Sequence, residues 1–143
     1  MEFRQRPDAA SLAEAASLLG LQPSDIVKTL VVKRSDDTFL FALIPGDRAI
    51  SWPKLRAAVG VNKLRLPDAE LALAATGYER GTITPIGSST DWPVFADADI
   101  VGRRIAMGAG IHGYSLFVDA DALIEAYGAT VADISEVIAP PQG

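Results

Sequence analysis

Ile26-Val27-Lys28-Thr29-Leu30-Val31-Val32-Lys33-Arg34-Ser35-Asp36-Asp37-Thr38-Phe39-Leu40-Phe41-Ala42-Leu43-Ile44 is the stretch from which the fold is read. Its first run, Ile26 to Lys33, is dense in β-branched residues and predicts a strand. Ser35-Asp36-Asp37 predicts a turn. The second run, Thr38 to Ile44, predicts a strand that is apolar on both faces, as a central strand covered on both sides is. The two form a hairpin. Alternation along the first strand puts Lys28 on the face of Leu30 and Val32, and Thr29 on the face of Val27 and Val31. Both faces are apolar, so the Lys28 ammonium starts beside a core. Two readings follow. The lysine snorkels its head into water from a strand end, or it is a cation held in a pocket for an anionic or carbonyl group.

Upstream, Ser11 and Glu14 make an S-x-x-E capping box before the apolar stripe Leu12, Ala15, Ala16 and Leu19, and Gly20 ends that helix. Downstream, Pro45-Gly46-Asp47 ends the hairpin. Ser51 then caps a helix from about Trp52 to Val59, stopped by Gly60. Asn62 to Leu66 predicts a short strand. Pro67-Asp68 opens a helix to about Ala75, closed by Gly77. Trp92 to Ala96, Arg103 to Met107 and Tyr114 to Val118 predict strands. Asp119 caps a helix from about Ala120 to Tyr127, ended by Gly128, and Thr130 to Ile134 predicts a last strand. An early hairpin with strands clustered late predicts an α+β fold: one domain over residues 1–143, a twisted mixed sheet with flanking helices.

Composition narrows the chemistry. The 143 residues are 49% apolar and 22% charged, enough for one ordinary core. There is no cysteine, which removes disulfides, thiolate zinc sites and a cysteine nucleophile. The one histidine, His112, cannot make a two-histidine metal motif within one chain. No metal and no cofactor are expected. No apolar run has the length of a transmembrane helix, and Met1 to Pro7 is not of signal-peptide type, so a soluble cytoplasmic protein is expected. The net charge of −5 argues against a general nucleic-acid coat but leaves room for a local basic patch. Lys54, Arg56, Lys63 and Arg65 are candidates for such a patch, although charged faces are usually just solvated.

Two glycine-rich segments stand out. In Thr76-Gly77-Tyr78-Glu79-Arg80-Gly81-Thr82-Ile83-Thr84-Pro85-Ile86-Gly87, three glycines and a proline specify a loop of unusual backbone angles, either a plain connection or a place where a ligand meets backbone. Gly108-Ala109-Gly110-Ile111-His112-Gly113 follows a strand. No Lys-Ser/Thr and no helix comes after it, so phosphate-loop and dinucleotide readings fail. What remains is a turn whose N–H groups could face an anion. Ser88 and Ser89 have no nucleophile-elbow context. Asp97 and Asp99, like Asp119 and Asp121, read more readily as turn and cap residues than as an acid–base pair.

In their order these features resemble the YbaK/ProX family of aminoacyl-tRNA deacylases, the superfamily that includes the editing insertion of bacterial prolyl-tRNA synthetases. The carriers are Leu19-Gly20-Leu21 through Asp25 to Val32 with its strand lysine, Pro45-Gly46-Asp47, the T-G-Y-x-x-G-x-x-x-P-x-G motif matched by Thr76 to Gly87, and Gly108-Ala109-Gly110. The resemblance runs from about Asp8 to Ile138. The family usually has a helix ahead of its first short strand, and Glu2 to Arg4 is expected to be the remnant of that strand. Thr29 follows the lysine as in the YbaK-like branch, where the alanine-editing branch tends to carry asparagine.

The resemblance implies a trans-editing hydrolase that cleaves the ester of mischarged tRNA, of the prolyl-tRNA type, at the acceptor end, in possible association with a tRNA synthetase and with no membrane. It implies Lys28 and Gly81 as catalytic residues. Lys28 steers the 3′-terminal adenosine, its phosphate or the aminoacyl carbonyl, and Gly81 with Pro85 brackets the loop that aligns the ester. Thr29, Tyr78, Thr84, Pro85, Gly108, Ala109, Gly110 and His112 are implied as substrate-binding residues. An aminoacyl ester is already activated, so a placed water, an oxyanion site and a cation suffice without a triad. The competing readings are a non-catalytic module of the same fold that binds a nucleotide, aminoacyl-tRNA or protein, and a hydrolase of free small esters.

Overall fold

The computed structural model describes residues 2–5, 12–79, 82–111 and 114–138. In chain order they form β1 (Glu2–Gln5), α1 (Leu12–Leu19), a 3-10 turn (Pro23–Asp25), β2 (Val27–Arg34), β3 (Phe39–Pro45), β4 (Arg48–Ile50), α2 (Trp52–Val59), β5 (Leu64–Arg65), α3 (Ala69–Thr76), β6 (Val94–Asp97), a second 3-10 turn (Ala98–Ile100), β7 (Arg104–Gly108), β8 (Tyr114–Asp119), α4 (Ala120–Tyr127), β9 (Thr130–Ala132) and β10 (Ser135–Val137). The fold is α+β. Ser11, the expected first cap, lies outside the described residues.

A five-stranded sheet runs β5-β2-β3-β6-β9, antiparallel at the β2–β3 hairpin and parallel from β3 to β9. All seven residues of β3 are buried, as their uninterrupted apolar character requires. Phe39, Phe41 and Leu43 enter one core, with Val27 and Val31 from β2, Ala72 and Ala75 from α3, and Leu123 from α4. Leu40, Ala42 and Ile44 enter the other, closed by Leu55 of α2 and by Ile134. A second sheet, β1-β8-β7, is antiparallel throughout, and its Ile105, Met107, Leu116 and Val118 complete the first core. A parallel bridge between Ile26 and Ala106 joins the two sheets.

The helix ends follow local chemistry. Ser51 Oγ accepts from Lys54 N, the Asp68 carboxylate accepts from Leu71 N at 2.8 Å, and Gly60, Gly77 and Gly128 end their helices in the left-handed conformation. Asp119 is a correction. It occupies the position before α4, but its carboxylate caps nothing, because the residue is still the last rung of β8 opposite Arg104.

The end of the chain is another correction. The single strand expected from Thr130 to Ile134 is two, β9 and β10, with β10 paired to the unforeseen β4. Asp97 supplies the reason. Its carboxylate, 1% exposed, accepts from Asp99 N at 3.1 Å and from Ile134 N at 3.0 Å. This takes the Ile134 amide out of the ladder. It also gives the buried charge the partners it needs, so Asp97 is a structural staple.

Candidate functional site

The bridge between Ile26 and Ala106 sets the register of the site. Bridged side chains share a face, and so do residues two further along each strand. Lys28 and Gly108 each lie two residues beyond this bridge, on strands that belong to different sheets. Gly108 is paired with Ser115 on β8, and Ser115 with Arg4 on β1. Gly108, Ser115 and Arg4 thus form one row across β7, β8 and β1, with neighbouring strands roughly 4.8 Å apart, and Lys28 follows the bridge where β2 meets the β7 end of that row. Lys28 is half-buried and Ser115 is 6% exposed. Arg4 holds its guanidinium 4.5 Å above the ring of buried Phe117 and donates to Glu2 at 2.7 Å.

Gly108 is a glycine because the loop passes over it. A Cβ there would meet Ile83 O at 2.7 Å and Thr82 O at 3.1 Å. The loop is held by its own motif residues. Thr76 Oγ1 donates to Ala72 O and accepts from Tyr78 N. Trp92 Nε1 and Ser89 N take the carbonyls of Ala75 and Thr76 at the end of α3. The Tyr78 hydroxyl donates to Ile86 O at 2.6 Å, which closes the loop across eight residues. The same ring fills the space a side chain at Gly110 would need, and its hydroxyl fills that at Gly87. The T-G-Y…P-x-G spacing is therefore a clamp built around Tyr78.

Tyr78, Thr84, Pro85, Gly108, Ala109 and Gly110 come together around this loop, with Thr84 and Pro85 buried. Thr84 Oγ1 accepts from Ile86 N. Gly110 N donates to Thr82 O at 2.9 Å, so this N–H is spent on the loop rather than offered to a ligand. Lys28 joins the group through the Ile26–Ala106 bridge. Thr29 faces the first core on the opposite side of β2 and keeps a buried, unpartnered Oγ1. Such a hydroxyl costs about 1–3 kcal/mol. Gly81 and His112 lie outside the described residues. Ser115 was missed from the sequence, and its only signal is a hydroxyl at a buried position of the strand Tyr114 to Val118.

Among the described residues Lys28 has no ion pair. Burial pushes its pKa below the ordinary lysine value, and the Asp47 carboxylate partly opposes that shift. A cation so placed has unspent donors and reduced hydration, and suits the oxygen of a carbonyl or phosphate better than a structural ion pair would. Among the described residues no group of three or more His, Asp or Glu side chains could hold a metal ion. No helix among them is long and apolar enough to cross a membrane.

Comparison with known proteins agrees with this architecture. The profile of the aminoacyl-tRNA editing domain matches residues 6–126. A proline–tRNA ligase of Shouchella clausii is 37% identical over 115 residues, which is 80% of this chain and 20% of the ligase, so the chain spans about a fifth of that relative. Enterococcus faecalis EbsC, whose name proposes a Cys-tRNA(Pro)/Cys-tRNA(Cys) deacylase, is 29% identical over 94% of this chain and 82% of its own. A crystal structure described as that of a proposed trans-editing enzyme for prolyl tRNA synthetase superposes with a TM-score of 0.86 at 26% identity, covering 94% of this chain and 86% of that one.

Proposed function

Because the chain belongs to the aminoacyl-tRNA editing domain family, we propose that it is a trans-acting deacylase that hydrolyses the ester of mischarged tRNA, of the prolyl-tRNA type. The observation that carries this reading is that Lys28, half-buried and without an ion pair among the described residues, follows the Ile26–Ala106 bridge, where β2 meets the strand pair of the loop-covered Gly108 and the buried Ser115. The lone pair of a water oxygen forms a bond to the aminoacyl carbonyl carbon, and the π pair of the C=O bond moves onto the carbonyl oxygen. The carbonyl re-forms as the bond to the ribose oxygen breaks. One water proton ends on that ribose oxygen and the other is released to solvent as the new carboxyl group ionises, leaving a free amino acid and deacylated tRNA. Lys28 stabilises the oxyanion or the neighbouring phosphate. The loop fixes the ester against backbone, so position replaces a strong base. Gly81 and His112 belong to this site on the resemblance alone. The chain works in the cytoplasm, where charged tRNA and a partner synthetase are found.

Single-turnover deacylation over a panel of mischarged tRNAs, including Ala-tRNA(Pro) and Cys-tRNA(Pro), tests the reading. Lys28→Ala is expected to fold and to lose roughly 10²–10³-fold in rate, as when one oxyanion donor is removed. Near wild-type turnover in the folded variant rejects the role of Lys28. A wild-type chain that binds these tRNAs without cleaving any is a binding module.

A further inference from the structure

A second feature lies at the end of the five-stranded sheet, where β2 begins and β3 finishes. A solvent-open cavity of about 240 Å³ is lined there by Asp47, Arg48, Asp99 and Arg103, with Pro45 and Val137 as apolar wall. Its volume is below the roughly 300–1,000 Å³ of drug-sized pockets. At about 30 Å³ per water it has room for roughly eight waters, or for one small metabolite.

The charges alternate, and their hydrogen bonds leave defined groups over. Arg48 Nε donates to Ser135 Oγ at 2.7 Å and lies 3.5 Å from Asp99, while its Nη2 donates to Ser135 O. Arg103 uses Nη1 for Ser24 Oγ and Asp25. Among the described residues Arg48 Nη1, Arg103 Nε and Nη2, Asp99 Oδ1 and the Asp47 carboxylate have no hydrogen-bond partner. The cavity therefore offers both donors and acceptors. With Asp25 counted, three carboxylates face two guanidiniums, which disfavours a phosphate dianion. A simple cation would meet two arginines. A ligand carrying one charge of each sign, close together and beside a small apolar group, satisfies all of these groups.

We propose that this cavity binds a free α-amino acid, its carboxylate on Arg103 and Arg48 and its ammonium on Asp47 and Asp99, as a regulatory site next to Lys28. The link to regulation rests on the function proposed above, whose product is such an amino acid. Asp47 belongs to both places: Pro45 pairs with Val27 and Gly46 N donates to Ile26 O, so the turn that carries Asp47 lies against the start of β2, where its carboxylate favours the charged form of Lys28. An ammonium seated on Asp47 offsets that support, so accumulated product slows deacylation.

The binding test uses the chain without tRNA, so it stands apart from the hydrolytic reading. L-alanine, L-cysteine, L-serine and L-proline are titrated by NMR, with propionate and alaninamide as single-charge controls. A free amino acid is expected to give saturable shifts at the amides of Asp47, Arg48 and Arg103 in the millimolar range. Asp47→Asn and Arg103→Gln are each expected to weaken it about tenfold, roughly 1.4 kcal/mol. No saturable shift, equal shifts from propionate or alaninamide, or affinity untouched in both variants overturns the proposal. In a deacylation assay the same amino acid is expected to slow wild type and to spare Asp47→Asn. Equal slowing of both overturns the regulatory link and leaves the hydrolytic reading in place.

Discussion

Lys28 carries a cost that its strand neighbours do not. Burial holds its folded-state pKa below the unfolded value, with Asp47 opposing. Below the folded pKa the lysine is charged in both states, and the folded protein bears the full penalty. Between the two pKa values the unfolded chain binds more protons, so stability rises with pH through that window. Lys28→Met is therefore expected to unfold at a higher temperature than wild type at neutral pH. Its advantage is expected to shrink as pH climbs through the depressed lysine pKa, while deacylation stays lost. Thermal melts of both proteins across that range decide it, and a constant gap at every pH refutes the assignment of the cost to the charge. Thr29, one residue on, shows why neighbours in sequence need not share a role. It looks into the other core, with its hydroxyl unpartnered.

The loop from Gly77 to Gly87 behaves as an element although its described residues contain no helix or strand. Its fixed point is the Tyr78 ring, wedged where Gly110 has no side chain. Gly110 has φ +83°, and a Cβ there would lie 2.7 Å from Tyr78 Cε1. Gly110→Ala is expected to destabilise by about 1–3 kcal/mol through strain and clash together. Combining it with Tyr78→Ala removes the clash but not the strain, so the double variant should fall short of the sum of the singles. Denaturant unfolding of the four proteins measures this, and strict additivity rules out the wedge. Helices of this fold were legible because their ends are written locally: Ser51 and Gly60 bound α2, and Asp68 and Gly77 bound α3. β4 and β10 were not. Three residues carry no readable period, and their pairing joins Arg48 to Val137, far apart in sequence. The site divides in the same way. The loop motif was visible as a string, whereas Ser115 gains its place only from a row across strands.

For the whole molecule, under the function proposed above, the net charge of −5 limits how tRNA is held. An acidic chain that grips an acceptor end through a few cations releases few counterions. With a slope of about −0.7 per single-strand phosphate contacted, two or three contacts predict a log–log salt dependence of about −1.4 to −2.1. Deacylation kcat/KM measured across a salt series checks this, and a slope of about −5 or steeper indicates docking along the stem. The way the sheets are joined has a mechanical consequence. On one side the first core spans both sheets, Val27 and Val31 of β2 packing with Ile105 and Met107 of β7, whereas on the other the Ile26–Ala106 bridge leads to Lys28. The molecule is bound like a book, with its spine in that core and its open edge at the lysine. Parting the covers sacrifices one bridge rather than a ladder, so this edge is expected to open before the β2–β3 hairpin does.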